Sequence, residues 1–229
     1  TSQETEPTGL KFNNDGTKMF ILGYEGKDVN EYTLSTAFDV STASFVDSFD
    51  VSSQDTSPFG LAFNNDGTKM FVTGVSSNAD VYEYALSTGF DVSTASYVDN
   101  LDISSQGTNI KSIVFNNDGT KMFISASYNA GARVNEYTLS TGFDLSSTVS
   151  FVDGLDISSK AQTPFGIVFN NEGTKLFVVD QNGDDVNEYT LSTGFDVSTA
   201  SFPRAFCCKT GKYRRPPNLP GAPSSASCT

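Results

Sequence analysis

The sequence predicts an all-β propeller built from four-stranded antiparallel blades, and three observations predict it. One block, P-x-G-[LI]-x-F-N-N-[DE]-G-T-K-[ML]-F, starts at Pro7, Pro58 and Pro164, with a variant copy at Ile110. Its anchor phenylalanines Phe12, Phe63, Phe115 and Phe169 lie 51, 52 and 54 residues apart. A period near 50 marks a repeat architecture in which no unit buries its apolar face alone. The composition is that of strands and tight turns: Thr, Ser, Val, Phe, Tyr, Gly and Asn/Asp dominate, with 19 Phe and no Trp in 229 residues. Finally, each copy divides into four short runs separated by turn residues.

The second copy shows the division. Pro58–Phe63 is a short apolar run suited to a strand buried on both faces. Asn64-Asn65-Asp66-Gly67 follows as a hairpin turn, because Asn, Asp and Gly tolerate positive φ and Asp-Gly between apolar runs marks a hairpin. Lys69–Thr73 is the second strand. A loop at Val75–Ala79 leads to the third, Asp80–Leu86. The connection Ser87–Ala95 is rich in Ser, Thr and Asp, and Ser96–Ile103 is the fourth and most acidic strand. An apolar first strand at the axis and a polar last strand in water is the gradient a blade requires. Outer-strand acids (Asp47, Asp50, Asp99, Asp102, Asp153, Asp156) discourage edge-to-edge pairing. A flat β-solenoid is the competing architecture, but its coils are nearer about 20–30 residues and lack Asp-Gly hairpins.

The block resembles the opening of the YVTN and NHL-like propeller repeats, P-x-G-[IVL]-x-[FV]-x-x-[DN]-G-x-x-[LVM]-[YF]-[VI]. Residues 58–72 fit at nearly every position, and 7–21 and 164–178 almost as well. The third copy departs: Ile110, Lys111 and Ser112 stand where Pro, Phe and Gly stand in the second. The resemblance covers residues 2–202 and implies blades over about 7–53, 58–105, 110–159 and 164–202, within a propeller domain of residues 1–202. Such propellers serve as binding platforms, structural parts and enzymes alike, so the likeness implies a fold more than a function. The continuation E-Y-x-L-S-T-[AG]-F-D-[VL]-S also resembles uncharacterised environmental and phage propellers.

Charge divides the chain at one junction. Residues before Pro203 hold all 27 acids against nine bases, or −18, while the tail 203–229 holds five bases and no acid. An acidic body repels phosphate backbones, which excludes nucleic acid as its partner. No apolar run approaches the roughly 20 residues of a membrane span. All three cysteines (Cys207, Cys208, Cys228) lie in the tail, so no disulfide framework is expected in the body. The tail, with five prolines, reads as irregular. The expected outer-strand continuation is missing after Phe202. That leaves three readings: a segment of a larger propeller, a four-bladed ring whose tail patches the last blade, or an open edge at Val186–Leu191 that pairs with another chain. No signal peptide is visible, so the chain is mature, a cut piece, or not secreted. The absence of glycosylation sequons favours a prokaryotic or viral source, and the expected location is extracellular or virion-associated.

Histidine is absent, which excludes Ser-His-Asp and Cys-His catalysis. Lactonase-like propellers hold a catalytic metal through Glu, Asp, Asn and His at the axis, and this chain offers only the oxygen ligands. Asn13-Asn14-Asp15-Gly16 and its copies resemble the start of a calcium loop, but lack the later ligands of one. The expectation is therefore no cofactor, with Ca2+ as the alternative. Recurring Glu-Tyr pairs (Glu31-Tyr32, Glu83-Tyr84, Glu136-Tyr137, Glu188-Tyr189) and lysines (Lys18, Lys69, Lys121, Lys175) read as cross-strand ion pairs within blades. Four-fold repetition argues against catalysis, since an active site is used once.

Function on rigid scaffolds tends to sit in loops that vary. The loops between second and third strands share a position but not a sequence, and gather on one rim. Their candidate binding residues are Tyr24, Glu25, Lys27, Ser77, Asn78, Tyr128, Asn129, Arg133, Gln181, Asn182 and Asp184. The function expected is a non-enzymatic binding or structural module that takes a protein or glycan surface on these loops. The alternatives are a lactonase- or hydrolase-like propeller with a carboxylate-bound cation, and a subunit that self-assembles through the open edge of the fourth blade.

Overall fold

The computed structural model describes residues 3–75, 79–128, 131–208 and 212–214. Four antiparallel sheets stand around one axis as a four-bladed β-propeller. Blade 1 is β1 (Pro7–Phe12), β2 (Lys18–Gly23), β3 (Asp28–Leu34) and β4 (Ala43–Asp50). Blade 2 is β5 (Pro58–Phe63), β6 (Lys69–Gly74), β7 (Asp80–Leu86) and β8 (Ala95–Asp102). Blade 3 is β9 (Asn109–Phe115), β10 (Lys121–Tyr128), β11 (Gly131–Leu139) and β12 (Val149–Asp156). Blade 4 is β13 (Pro164–Phe169), β14 (Lys175–Asp180), β15 (Asp185–Leu191) and β16 (Ala200–Cys207), extended by β17 (Lys212–Arg214). Each sheet follows chain order. The helical content of the described residues is three short 3-10 turns in the third-to-fourth strand connections.

Local chemistry explains the hairpins. In blade 2 the Asn64 carbonyl accepts from Gly67 N–H (3.2 Å). Asn64 Oδ1 accepts from Lys69 N–H (2.9 Å), and Asp66 Oδ1 from Thr68 N–H (3.0 Å). The side-chain oxygens that resemble calcium ligands are thus occupied by the turn's own donors. Gly67 has φ +72°, and a Cβ there would lie 2.3 Å from the Phe90 ring. Phe90 is itself at φ +58° and donates its N–H to the Gly67 carbonyl (3.0 Å). Turn and connection therefore fasten to each other in every blade, with Phe38, Phe143 and Phe195 in the same backbone conformation. Only glycine fits beneath those rings.

The Lys–Glu pairs do form within blades, but they are not surface pairs. Lys69 Nζ lies 2.7 Å from Glu83 Oε1, and Glu83 is buried. Its other oxygen accepts from the Leu145 N–H of blade 3 (2.7 Å). Glu31 accepts in the same way from Val92 (3.0 Å) and Glu136 from Val197 (2.9 Å), each in the following blade. Lys18 and Lys121 donate across the same gaps to the Phe90 and Phe195 carbonyls (both 2.6 Å). Above each clamp sits a phenylalanine triad. Phe20 meets Phe63, Phe71 meets Phe115 and Phe123 meets Phe169 at 4.6–4.7 Å between centroids, and each second ring packs on the connection phenylalanine of its own blade. Three apolar clusters result, one per interface between blades 1–2, 2–3 and 3–4.

Two expectations are corrected. The most buried strands are the second and third of each blade, not the first, because the first lines an axial cavity. And β16 runs across the expected junction at 202/203, so residues 203–207 complete the outer strand of blade 4. β15 is paired on both sides, so the edge at Val186–Leu191 is not open. Residues 209–211 and 215–229 of the tail lie outside the described residues.

The clamp makes a quantitative prediction. Glu83→Ala takes the buried acceptor from the Leu145 amide and from Lys69 at once, leaving Lys69 with Asp144 at 3.7 Å. Lys69 keeps some water contact, so the expected loss is about 2–3 kcal/mol, against ~0–1 for a surface ion pair. Urea denaturation of the two proteins checks it.

Candidate functional site

The four inner strands present equivalent positions to the axis: Thr8, Phe59, Lys111 and Phe165. The departure of the third copy from the repeat thus puts a single cation among aromatic and small neighbours. The cavity at this mouth has a volume of about 620 Å3, and its lining includes Glu6, Thr8, Tyr24, Phe59, Lys111 and Thr163. Lys111 Nζ lies 4.3 Å from the Phe165 ring centroid and 5.6 Å from that of Phe59. The two rings meet edge to face at 5.7 Å, and Tyr24 packs on Phe59 at 5.6 Å. Cation–π attraction steadies the ammonium, while burial holds its pKa below the ordinary lysine value. Among the described residues no carboxylate pairs with Lys111. An ammonium held between rings, without a counter-ion, is suited to accept a carbonyl oxygen or an anion.

The opposite mouth encloses a smaller cavity of about 280 Å3. Asn14, Asn65 and Asn117 each donate a side-chain N–H to the carbonyl of the corresponding asparagine in the next blade (2.6, 2.8 and 3.0 Å). Lys11 lies in this mouth where the other copies have Ala62, Val114 and Val168, and burial lowers its pKa.

Of the residues picked from sequence whose side chains are described, Tyr24 alone lines the larger cavity. Glu25, Gln181 and Asn182 are exposed on the same rim. Lys27 and Asp184 take positive φ at their loop ends (53° and 49°). Arg133 is exposed on β11, with Nη1 3.5 Å from the Gly154 carbonyl. Tyr128 ends β10 opposite Gly131, and Ser77, Asn78 and Asn129 lie outside the described residues. Sequence reasoning missed Lys111, Phe59, Phe165 and Glu6. The available signal was the broken repeat at 110–112, where one copy loses Pro, Phe and Gly together. Among the described residues no three His, Cys, Asp or Glu side chains gather as a metal site.

With this geometry in place, the chain compares with known proteins as follows. No protein-family profile matches it, and no curated protein does. Solved propellers share its fold. A Bacteroides uniformis protein described provisionally as a 6-phosphogluconolactonase aligns with a TM-score of 0.59 at 12% identity, over 86% of this chain and 52% of that one. The periplasmic gluconolactonase of Pseudomonas aeruginosa gives 0.53 at 16%, over 86% and 52%. The β-propeller domain of Cps50 (Swd1) from Myceliophteria thermophila gives 0.51 at 12%, over 81% and 54%. The chain spans about half the length of these structures. The expectation of a non-enzymatic module is corrected on this ground: the gluconolactonase names among the similar structures favour the lactonase-like alternative.

Lys11 allows a test of the axial environment. Its folded pKa is lowered, so the unfolded chain binds more protons and stability rises with pH through that window, toward the ordinary value of 10.5. At lower pH the penalty of burying the charge is complete. Lys11→Met is expected to raise the urea midpoint at neutral pH with no change of slope, and to gain less as the pH nears 10.

Proposed function

We propose that the propeller hydrolyses a sugar lactone at the axial mouth that holds Lys111. The observation that carries this is a break in four-fold symmetry at the wide end of the axis: where blades 2 and 4 keep Phe59 and Phe165 and blade 1 has Thr8, blade 3 places Lys111 between the two phenylalanine rings. In the proposed reaction the Lys111 ammonium donates to the lactone carbonyl oxygen and stabilises the oxyanion that develops there. Glu6, on the same lining, takes a proton from the attacking water. The water oxygen bonds to the carbonyl carbon, the ring C–O bond breaks, and the proton returns to the departing ring oxygen as a hydroxyl. The product is the open-chain acid. Phe59 and Tyr24 offer apolar faces for the sugar C–H groups. No step is assigned to a metal.

The similar structures support the substrate class through their names alone. The opening block of each blade is likewise our ground for proposing kinship with the YVTN and NHL-like repeats.

Glucono-δ-lactone and its 6-phosphate, followed by acid release in a pH-stat near pH 6.5, test the proposal. The chain is expected to accelerate ring opening over buffer, and Lys111→Met to lose on the order of 100-fold in kcat/KM, the cost of one oxyanion donor. Equal rates with and without protein for both lactones would overturn it.

A further inference from the structure

Three of the four gaps around the axis are filled by one repeated interface, and the fourth, between blade 4 and blade 1, is not. The surfaces for it are present. In blades 2, 3 and 4 the residues that bury against the preceding blade are Leu61, Ile113 and Ile167 on the inner strand and Val92, Leu145 and Val197 on the connection, all at 5% exposure or less. Their counterparts in blade 1, Leu10 and Val40, are 56% and 60% exposed. On the other side, Leu22, Thr73 and Ser125 are fully buried, while their blade 4 counterpart Val179 is 47% exposed. The phenylalanine triad is also split. Phe12 and Phe38 are already paired at 5.5 Å, as in the other blades, but Phe38 is 60% exposed and no contact with the Phe177 ring of β14 completes the set. The chain of asparagine bonds stops at Asn171 among the described residues.

The clamp is likewise set but unmade. Glu188 holds Lys175 as Glu31, Glu83 and Glu136 hold their lysines. The oxygen that takes the next blade's N–H in those three is covered instead by Arg204 Nε at 2.7 Å. Arg204, half-exposed on the outer strand of its own blade, also reaches Glu188 Oε1 through Nη2 (3.3 Å), so its guanidinium fills the place that the next blade's amide takes in the other three clamps. The donor the repeat specifies is the Val40 N–H.

We infer that the open faces of blade 1 and blade 4 dock on a second copy of this chain, head to tail, so that two copies close one eight-bladed ring. The complementarity occurs three times within the chain: each open face repeats a surface that the same sequence buries against its neighbour. Two open faces per chain, met by two from a partner, leave none exposed, which is the condition for a closed rather than a growing assembly. This surface is distinct from the strand edge of blade 4, which β16 and β17 cover.

Light scattering on the full chain, from about 1 to 200 µM, tests the inference. A mass of twice 24.5 kDa that does not grow further with concentration is expected. A 24.5 kDa monomer at the top of the range, which would leave the seam to some other occupant, overturns it, and so does open-ended growth. Val40→Asp and Val179→Asp alter exposed residues, so circular dichroism should show both folded. Each alone is expected to be monomeric, and their mixture to recover a dimer through its one intact pair of faces. Two dimeric variants, or a mixture that stays monomeric, also overturn the inference.

Discussion

A buried carboxylate that serves two blades is the interaction on which the rest of this molecule depends. Glu31, Glu83 and Glu136 each neutralise a lysine on their own sheet and take a backbone N–H from the next one. A charge in that position is tolerated only because both oxygens are matched. The same contact fixes the spacing between sheets and so sets where the phenylalanine triads meet. Turn, connection and neighbouring blade are joined by one set of groups, which explains why the repeat preserves the block N-N-[DE]-G-T-K and the distant F-D together.

Much of this was legible in the sequence. The strands of blade 2 fall within a residue or so of the runs marked out by Asn64–Gly67 and the Ser87–Ala95 connection, because glycine and Asx residues punctuate a meander at short range. The clamp was only half legible. Cross-strand register pairs Lys69 with Glu83 through local spacing, but the Leu145 N–H arrives from 62 residues away, and spacing within one blade says nothing about that. The outer strand of blade 4 was missed for a related reason. Pro203 and Arg204 break the repeat's composition, yet the backbone of 203–207 needs only to extend and pair with β15, and alternation of side chains is a weak guide at an outer edge.

Repetition also governs where chemistry is found. Residues present four times build the frame, and their departures mark what the frame carries. Lys111 and Lys11 each occur in one copy, each at an axial mouth, and burial lowers the pKa of both. The variable loops drew attention first because loops usually carry function, but among their described residues only Tyr24 of those chosen reaches the cavity. A single substitution in a repeated strand marks the lysine that lines this cavity.

The central claim is that the blade-spanning bond to the buried carboxylate is as firm as the sheets it joins. Amide hydrogen exchange at Val92, Leu145 and Val197 measures this most directly. We expect these three amides to exchange as slowly as the Val72 amide inside β6, opening only when the whole propeller unfolds. Exchange at the rate of an open loop would show that the carboxylates do not hold the blades together, and would contradict the account.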